Sequence, residues 1–384
     1  MAVTTRENSL TLTPDQVRAR DAVVTFFRRG GNLLTMGGYA GSGKSTTIAE
    51  AVRSLGGERK SIAFCAFTGR AASVLKGKLE AADVIEGGDY CGTIHGLIYK
   101  PVVKNGRILR WKKADDIEQD LIVIDEASMV NEIIYRDLAS YGVPILAVGD
   151  HGQLPPIEGK FNLMENPEIK LETIHRQAAG NPIIHLSMMA RTGEPIPEGR
   201  HGEFVVKIGA AGALDRIKEV AGALFLCGYN STRTRLNAGI RKRLGFLGNE
   251  PMVGEKIICL KNNHEAQIYN GVTGRLKAIS SQGDRWYKIE TEMDGGVDFE
   301  GKVFRAQFGE QKTIREVEGL ERKEIGDLFD WGYAMTVWKA QGSEASRVVF
   351  FEEYFSGMSE DDRRRFLYTG ITRASERLLL VGSR

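Results

Sequence analysis

The stretch GYAGSGKST at residues 38–46 constrains the fold of this 384-residue chain more than any other. It matches the pattern G-x4-G-K-[ST] and lies between the apolar run LLTM (33–36) and a segment of helical character. In such a strand–loop–helix unit, backbone N–H groups and the helix N-terminus form a cradle for phosphate groups. We expect Lys44 to reach the terminal phosphates and the Ser45 hydroxyl to bind Mg²⁺. The other residues assigned to this nucleotide-binding loop are Gly41, Ser42, Gly43 and Thr46.

Short apolar runs elsewhere predict parallel β-sheets covered by helices. In the first half these runs are SIAFCAF (61–67), LIVID (121–125) and PILAVG (144–149), most of them followed by a turn and a helical pattern. A second set starts near residue 170 and comprises a helix around Pro182–Ala190, then ALFLCGYN (223–230), YAMTV (333–337), SRVVFF (346–351), a helix near 360–373 and RLLLV (377–381). This alternation of apolar runs with helical patterns predicts an α/β fold with two domains.

A different segment interrupts the second domain. Residues 251–328 contain short alternating strands and turns at the spacing of a small barrel. We therefore predict a first domain at 1–170, a second domain at 171–250 and 329–384, and an inserted β-barrel at 251–328.

A pair of carboxylates follows a buried strand about 80 residues after the phosphate loop. In LIVIDEAS (121–128), Asp125 and Glu126 come at the carboxyl end of the strand, where ligands bind in such sheets. We expect Asp125 to hold Mg²⁺ and Glu126 to polarise the attacking water. VGDHGQLPP (148–156) has the same pattern of a strand followed by a polar loop, and it brings Asp150 and Gln153 to the same edge of the sheet. On its own, this stretch is also typical of a solvated loop.

Composition limits the classes of partner. The chain has 52 Lys+Arg and 50 Asp+Glu, so a nucleic acid would be gripped by local clusters of charge. No apolar run approaches the ~18 residues of a membrane span, and the N-terminal residues lack the apolar core of a signal peptide. Four cysteines without CxxC spacing indicate free thiols in a reducing compartment rather than a metal site. We expect a cytoplasmic protein of a bacterium or a phage-infected host, with no membrane partner.

Further motifs follow one another in a recognisable order: LTPDQ (12–16), FTGRAASVL (67–75), TIHGLIY (93–99), ETIHRQ (172–177), GYNSTRTRLN (228–237), YAMTVWKAQGSE (333–344) and YTGITRA (368–374). Together with the nucleotide motifs, they make the chain resemble the superfamily 1 DNA helicases of the RecD/Dda branch, which move 5′ to 3′. The resemblance covers nearly the whole chain. It implies two RecA-like domains that clamp Mg·ATP, and an SH3-like β-barrel inserted in the second.

The resemblance also implies roles for individual residues. It implies that Gln16 reads the adenine, that Gln153 senses phosphate, and that Arg176 and Arg373 complete the catalytic site from the second lobe. Gln341 joins the nucleotide-binding set. The residues implied to contact DNA are Thr68, Gly69, Arg70, Thr93, His95, Asn230, Arg235, Asn237, Trp338 and Lys339.

Two positions depart from the family pattern, and neither belongs to the hydrolytic set. The family usually has Pro where this chain has Phe67, and His where it has Trp338. Trp338 is interpreted either as a stacking platform for a base or as a core residue beneath the loop. In the barrel segment, Asn263, Tyr269 and Asn270 are candidate surface contacts, although Asn270-Gly271 is better explained as a hairpin turn.

The stretch YKPVVKNGRILRWKK (99–113) predicts a β-hairpin. Asn-Gly at 105–106 between two strand-like runs supplies the two positive φ angles that a tight hairpin turn needs. In the resembling helicases, a hairpin at this position (about 97–113) splits the duplex. Its tip lacks an aromatic wedge, so both a strand-separating and a structural role stay open. The side chains offered to DNA are Lys100, Lys104, Arg107, Arg110, Trp111, Lys112 and Lys113.

The function expected from these motifs is an ATP-dependent DNA helicase that acts on single-stranded and forked duplex DNA. We expect a monomeric motor that works with replication or recombination proteins. The alternatives are a translocase that displaces bound proteins without unwinding, and a nucleic-acid-binding protein switched by ATP. A small-molecule kinase on the same fold would have no need of Arg373, Gln153 or the DNA motifs.

Overall fold

The computed structural model describes residues 11–382, apart from 60, 105–106, 156–160, 175–179, 211–221, 264–265, 267, 269, 295–296 and 322–323. The side chains of residues 70, 101, 103–104, 107–111 and 297 also lie outside this description.

In chain order the described helices are α1 (Pro14–Arg29), α2 (Lys44–Leu55), α3 (Gly69–Ala81), α4 (Ile94–Ile98), α5 (Glu132–Ala139), α6 (Pro182–Thr192), α7 (Asn230–Arg243) and α8 (Glu360–Ile371). The described strands of the first half are β1 (Leu33–Gly38), β2 (Ile62–Ala66), β3 (Tyr90–Thr93), β4 (Tyr99–Lys104), β5 (Arg107–Lys113), β6 (Leu121–Asp125), β7 (Ile145–Gly149) and β8 (Ile169–Leu171). Those of the second half are β9 (Gly199–Arg200), β10 (Val205–Ile208), β11 (Leu224–Cys227), β12 (Lys256–Cys259), β13 (Thr273–Gln282), β14 (Trp286–Met293), β15 (Val297–Phe304), β16 (Phe329–Trp331), β17 (Ala334–Thr336), β18 (Ala345–Phe351) and β19 (Ala374–Val381).

The first lobe is built on a parallel sheet of order β3-β2-β6-β7-β1-β8. Strands β2 and β7 are buried along their whole length, which explains why they read as unbroken apolar runs in the sequence. Because every strand points the same way, the loops after β1, β6 and β7 meet at one edge of the sheet. The prediction of an α/β fold with parallel strands is confirmed.

The second lobe contains another sheet, of order β17-β11-β18-β19-β10-β9. Its pairings are parallel except at the edge, where β9 runs antiparallel to β10. Helices α6 and α8 pack together and contribute Leu186, Phe366 and Ile371 to the same core as Phe350. The carboxyl end of β17 leads into a segment that contacts the first lobe, where Gln341 donates to the Leu154 carbonyl.

An antiparallel sheet of order β15-β14-β13-β12-β16 interrupts the second lobe. Along β14, buried and exposed residues alternate, as expected for a sheet with one face packed on a core. Its fifth strand, β16 at 329–331, pairs with β12 and lies beyond the predicted boundary at residue 328. In sequence, β16 resembles a strand of the second lobe because Phe329 and Trp331 are buried apolar residues.

The β4–β5 pair forms a separate two-stranded antiparallel sheet between β3 and β6. Its base is anchored to the first lobe, since the Tyr99 hydroxyl donates to the Asp137 carboxylate at 2.5 Å and the Tyr141 hydroxyl donates to the carbonyls of Ile98 and Ala114. The turn residues 105–106 lie outside the described residues.

Among the described residues, none of the helices combines the length and the apolar character needed to cross a bilayer. Cys65, Cys227 and Cys259 are buried free thiols and Cys91 is a partly buried one, and no cluster of metal-ligating side chains occurs in the described part of the chain.

Candidate active site and nucleic-acid interface

The loop between β1 and α2 has the geometry of a phosphate cradle. Gly41 and Gly43 both adopt φ of +78°, a left-handed conformation that side-chain-bearing residues avoid. The turn they allow places Lys44 at the first position of α2. The Lys44 ammonium donates to the carbonyls of Gly38 at 2.7 Å and Tyr39 at 3.3 Å, and so it lies folded over the loop.

The two carboxylates lie at the end of β6, opposite this loop. Glu126 has φ of +55°, one of two such non-glycine residues in the described chain, and its N–H donates to the Asp125 carboxylate at 3.0 Å. Backbone strain of this kind persists where the surroundings impose it, which is common at active sites. Burial raises the pKa of Glu126, and the Asp125 charge raises it further, while Arg373 and Lys44 act in the opposite direction.

An interlobe cleft of about 1320 Å³ brings the nucleotide motifs together. Two buried oxygens, Glu126 Oε2 and Gln153 Oε1, have no hydrogen-bond partner among the described residues, as expected of groups that serve a ligand. Hard oxygen donors from Asp125 and Ser45 fit the preference of Mg²⁺. The predicted residues that line this cleft are Gly41, Gly43, Lys44, Ser45, Thr46, Asp125, Glu126, Gln153 and Arg373.

Arg373 reaches this cleft from the second lobe. It follows α8, is 5% exposed, and donates from Nε to the Thr369 carbonyl and from Nη1 to the Ser343 carbonyl. These bonds fix the guanidinium between the lobes. Arg176, the other arginine assigned to the site, lies outside the described residues.

Three predicted nucleotide residues lie beside the cleft rather than on its surface. Gln16 is fully buried and donates from Nε2 to the carbonyls of Ser42 at 3.2 Å and Gly43 at 3.4 Å, so it supports the phosphate loop from behind. Ser42 is itself fully buried. Gln341 donates to the Leu154 carbonyl at 2.6 Å and lines the neighbouring cleft described below, so in this structure it links the lobes.

The sequence analysis missed Tyr368, which joins the lobes at the nucleotide site. Its hydroxyl donates to the Asp150 carboxylate at 2.5 Å and accepts from the Ala40 N–H at 2.8 Å. Burial, followed by the Asp150 charge, raises the pKa of Tyr368 well above its ordinary value. A second-lobe side chain thus contacts both the phosphate loop and the loop that carries Gln153. The only sequence signal was its position in YTGITRA, beside the motif arginine.

A second interlobe cleft, here called the DNA-side cleft, comprises two adjoining cavities of about 410 and 760 Å³. Thr68 follows β2 and Thr93 ends β3, and each hydroxyl accepts a backbone N–H at the start of a helix and thereby fixes the loop. His95 lies between the rings of Phe67 and Tyr99, at centroid distances of 5.8 and 5.7 Å. The predicted DNA residues that line this cleft are Thr68, Gly69, Thr93, His95, Asn230, Trp338 and Lys339.

Lys339 is a partly buried cation on the second-lobe wall of this cleft. Burial lowers its pKa to about 8, and the nearby Arg233 lowers it further, while Cys259 and Asp330 act against that shift. Arg233 is neutralised by the buried Asp330 carboxylate at 2.5 Å. The ammonium of Lys339 therefore faces the cleft at a position where an added anion would stabilise its charge.

Trp338 has features both of a core residue and of a stacking platform for a base, the two interpretations drawn from the sequence. Its ring lies 5.4 Å from that of Phe355 and 5.5 Å from that of Phe366, and it packs against the second-lobe core. It is only partly buried, and another part of it lines the DNA-side cleft.

The structure corrects the assignment of Asn237 to the DNA set. Asn237 is 1% exposed, donates to the Trp331 carbonyl and accepts from the Ala334 N–H, so its amide is used inside the protein. In sequence it was indistinguishable from a surface asparagine, because the strand that it contacts lies about a hundred residues away.

Arg235 is exposed on α7 and is not among the residues lining the cleft, and the side chain of Arg70 lies outside the described residues. Of the barrel candidates, Asn263 bonds the Asp327 carboxylate, Asn270 lines the cleft and Tyr269 lies outside the described residues.

Comparison with known proteins decides the family. A family model described as an AAA domain matches residues 11–219, and one described as a UvrD-like helicase C-terminal domain matches residues 332–381. The ATP-dependent RecD2 DNA helicase of Deinococcus radiodurans is 30% identical over 92% of this chain. This chain belongs to the AAA-domain family of that model, and it is similar to the RecD-type helicases. The resemblance inferred from the motifs is thereby confirmed.

Other matches agree with this family. The RecBCD enzyme subunit RecD of Mycolicibacterium smegmatis is 27% identical over 91% of this chain and 68% of its own length. Pif1 helicase from Bacteroides, solved with ADP-AlF3 and single-stranded DNA, superposes with a TM-score of 0.55 at 18% identity, covering 97% of this chain and 92% of that one. This likeness shows a common fold. The chain spans 47% of the length of the RecD2 relative, about half of it.

Proposed function

We propose that this chain is an ATP-dependent DNA helicase that moves 5′ to 3′ along single-stranded DNA and separates duplex DNA. The observation that carries the proposal is the arrangement of two clefts between the same two lobes, one lined by nucleotide motifs and one by DNA motifs. Because both clefts share the lobe interface, a change in one alters the separation of residues in the other. The 5′ to 3′ direction is that of the RecD/Dda branch.

In the nucleotide cleft, ATP is the substrate and the chain's own groups position it. The N–H groups of Gly41 to Ser45 would bind its phosphates, and Lys44 would move from the loop carbonyls to the terminal phosphates. Asp125 and Ser45 would hold a magnesium ion, which neutralises phosphate charge. Glu126 would orient the attacking water and accept its proton, a role that its raised pKa and buried unpartnered oxygen suit.

Hydrolysis would be tied to lobe movement by groups that cross the interface. Arg373 and Arg176 would stabilise charge on the transferred phosphoryl group from the second lobe. Gln153 would sense the terminal phosphate. Tyr368 would couple this contact to the second lobe, since it contacts both the phosphate loop and the Asp150 carboxylate.

The DNA-side cleft would hold a single strand across both lobes. Lys339 and the loop backbones at Thr68 and Thr93 would contact phosphates, while Trp338 and Phe67 would present aromatic faces to bases. As the lobes close and open around ATP, the grip of each lobe on the strand would alternate, and this alternation is translocation.

The two insertions, the β4–β5 hairpin and the antiparallel sheet, would act at the edge of the DNA-side cleft. We assign the 99–113 hairpin to strand separation and the antiparallel sheet to an SH3-like barrel, with the domain limits given above except that the barrel extends to residue 331. A hairpin anchored at its base by Tyr99 and Tyr141 can bear force at its tip. If the tip only follows the strand, the chain is a translocase that displaces proteins without unwinding. Release of a blocking protein without strand separation on a forked duplex would indicate that alternative.

ATP hydrolysis with and without a single-stranded oligonucleotide tests the nucleotide site and its coupling to DNA. We expect DNA to stimulate the wild type about tenfold or more and Lys44→Ala to lose at least about 99% of the stimulated rate. Lys76→Ala is the matched control, because that lysine is exposed, forms an ion pair with Glu80 one helical turn away and does not line the nucleotide cleft. A near-normal stimulated rate in Lys44→Ala would refute the assignment.

A further inference from the structure

The ten-residue loop 244–253, which follows α7, carries an unusual concentration of exposed apolar side chains. Eight large apolar residues are exposed among the described residues, and four of them lie in this loop. Their exposures are 54% for Leu244, 72% for Leu247, 42% for Met252 and 56% for Val253. Scattered single apolar residues are ordinary on protein surfaces, whereas a cluster indicates a binding surface.

These side chains do not hold the loop in shape. A buried ion pair does so instead: Arg241 contacts the Glu255 carboxylate at 2.5 Å and donates to the carbonyls of Gly248 at 2.8 Å and Glu250 at 2.6 Å. The Met252 N–H donates to the same Glu255 carboxylate at 2.8 Å. The loop is therefore fixed by polar bonds on its inner side, while its apolar side chains point outward in a preorganised arrangement.

A cavity of about 790 Å³ lies against this loop, between the edge of the second-lobe sheet and the antiparallel sheet. Its charged residues are Arg243, Lys256, Arg275 and Asp294, and Asp294 already accepts the Thr273 hydroxyl. Beside it, exposed Lys242 adds a further positive charge, whereas the exposed Glu250 carboxylate is paired with Arg305. Three cationic side chains and one carboxylate thus line the cavity, and its apolar walls are formed by Phe225, Ile240, Leu244, Phe246 and Tyr333.

We propose that the 244–253 loop and this cavity form a docking site for an acidic segment of a partner protein that carries large apolar side chains. Such a segment places its carboxylates against the arginines and its apolar residues on Leu247 and Val253. A second copy of this chain would bring the same cationic surface and repel. Nucleic acid would match the charge, but the four exposed side chains of the loop carry no ring on which a base can stack, and the aromatic Phe225 and Tyr333 of the cavity wall are buried.

The docking site adjoins the DNA-side cleft and is separate from the nucleotide cleft. Lys256 and Asp294 line both the docking cavity and the 410 Å³ part of the DNA-side cleft. No described residue lines both the docking cavity and the nucleotide cleft. A bound partner is therefore held beside the DNA track, and removing the site leaves ATP hydrolysis intact. This inference does not depend on the direction or the unwinding activity proposed above.

Selection from a phage-displayed library of random peptides of about 12 residues tests the proposal. The full chain is the target, and a Leu247→Ser/Val253→Ser double variant is the counter-target. The variant should keep the thermal midpoint and the ATP hydrolysis rate of the wild type, because both residues are exposed. Ile133→Ser is the matched control, since Ile133 is 71% exposed on the first lobe.

We expect the enriched peptides to carry net negative charge and at least two large apolar residues. One of them, measured by fluorescence anisotropy, should bind the wild type and Ile133→Ser equally and the double variant about tenfold more weakly. Arg275→Glu should weaken it similarly. Failure to enrich any peptide, enrichment of neutral or basic peptides, or equal binding to the double variant would overturn the proposal. A fivefold or larger loss of single-stranded DNA affinity in the double variant would also overturn it and identify a nucleic-acid surface.

Discussion

At the scale of single residues, Tyr368 is a second-lobe side chain that contacts the phosphate loop. Tyr368→Phe removes a hydroxyl that donates to Asp150 and accepts from the Ala40 N–H. We expect the ATP turnover number to fall about tenfold, which is ~1.4 kcal/mol of activation free energy. The free energy of unfolding should fall by about 1–3 kcal/mol, because a buried carboxylate loses a donor.

The control for this change is Tyr141→Phe, which also removes a hydroxyl with two buried partners, the carbonyls of Ile98 and Ala114. It should lower the free energy of unfolding comparably and leave the turnover number unchanged. Steady-state ATPase assays and chemical denaturation of both variants supply the comparison. Equal turnover in Tyr368→Phe and wild type would show that the hydroxyl is only structural.

Lys339 makes a second residue-scale prediction, for pH dependence. Its pKa of about 8 means that the free ammonium loses its charge as pH rises through that value, whereas a bound phosphate favours the charged form. Affinity for single-stranded DNA should therefore be full below the pKa and fall about three- to tenfold between roughly pH 7 and pH 9. Anisotropy with an oligo-deoxyadenosine, whose bases do not titrate in this window, measures it.

Two substitutions separate Lys339 from other causes of pH dependence. Lys339→Arg stays charged throughout this range and should make the affinity nearly independent of pH. Lys339→Met should bind weakly at both pH values. A pH dependence that survives in both variants would place its origin elsewhere.

At the scale of elements, sequence reasoning succeeded where local chemistry decides the outcome. LIVID at 121–125 is β6 residue for residue, and β4 and β5 pair antiparallel on either side of Asn105-Gly106, which itself lies outside the described residues. Strands β3 and β8 were missed because they are only four and three residues long and have weak apolar patterns. Their existence depends on pairing with β2 and β1.

Sequence patterns describe local features, and for that reason they predicted some residues of the site and missed others. Glycine spacing fixed the phosphate loop and the strand ends fixed Asp125 and Glu126, because these features are local. The contact of Tyr368 with Asp150 and the burial of Asn237 join segments that are distant in the chain. No spacing rule expresses such contacts, and so only the folded structure shows them.

The β4–β5 hairpin makes the element-scale prediction. Replacing residues 104–107 by a shorter turn should abolish duplex unwinding and leave DNA-stimulated ATP hydrolysis unchanged, because the tip is distant from the bonds at the hairpin base. Shortening the turn 283–285 between β13 and β14 is the control and should spare both activities. Equal loss of unwinding and hydrolysis in the 104–107 variant would show that the hairpin is structural.

At the scale of the whole molecule, the proposed translocation depends on two lobes that close on ATP while holding DNA. In the described part of the chain, several hydrogen bonds that cross the interface gather around the loop 150–155. Thr369 accepts from the Leu154 N–H, Gln341 donates to the Leu154 carbonyl and Arg365 donates to the His151 carbonyl. Polar bonds of this kind can break and re-form as the lobes open and reclose, as a motor requires.

Unwinding of short duplexes that carry a single-stranded tail on only one strand measures both the helicase activity and its direction. With ATP, the wild type should separate the duplex with a 5′ tail and leave the duplex with a 3′ tail or blunt ends intact, and Lys44→Ala should separate none of them. Efficient unwinding from a 3′ tail would contradict the direction. ATP-dependent displacement of a protein block from the 5′-tailed substrate without any strand separation would contradict the helicase itself.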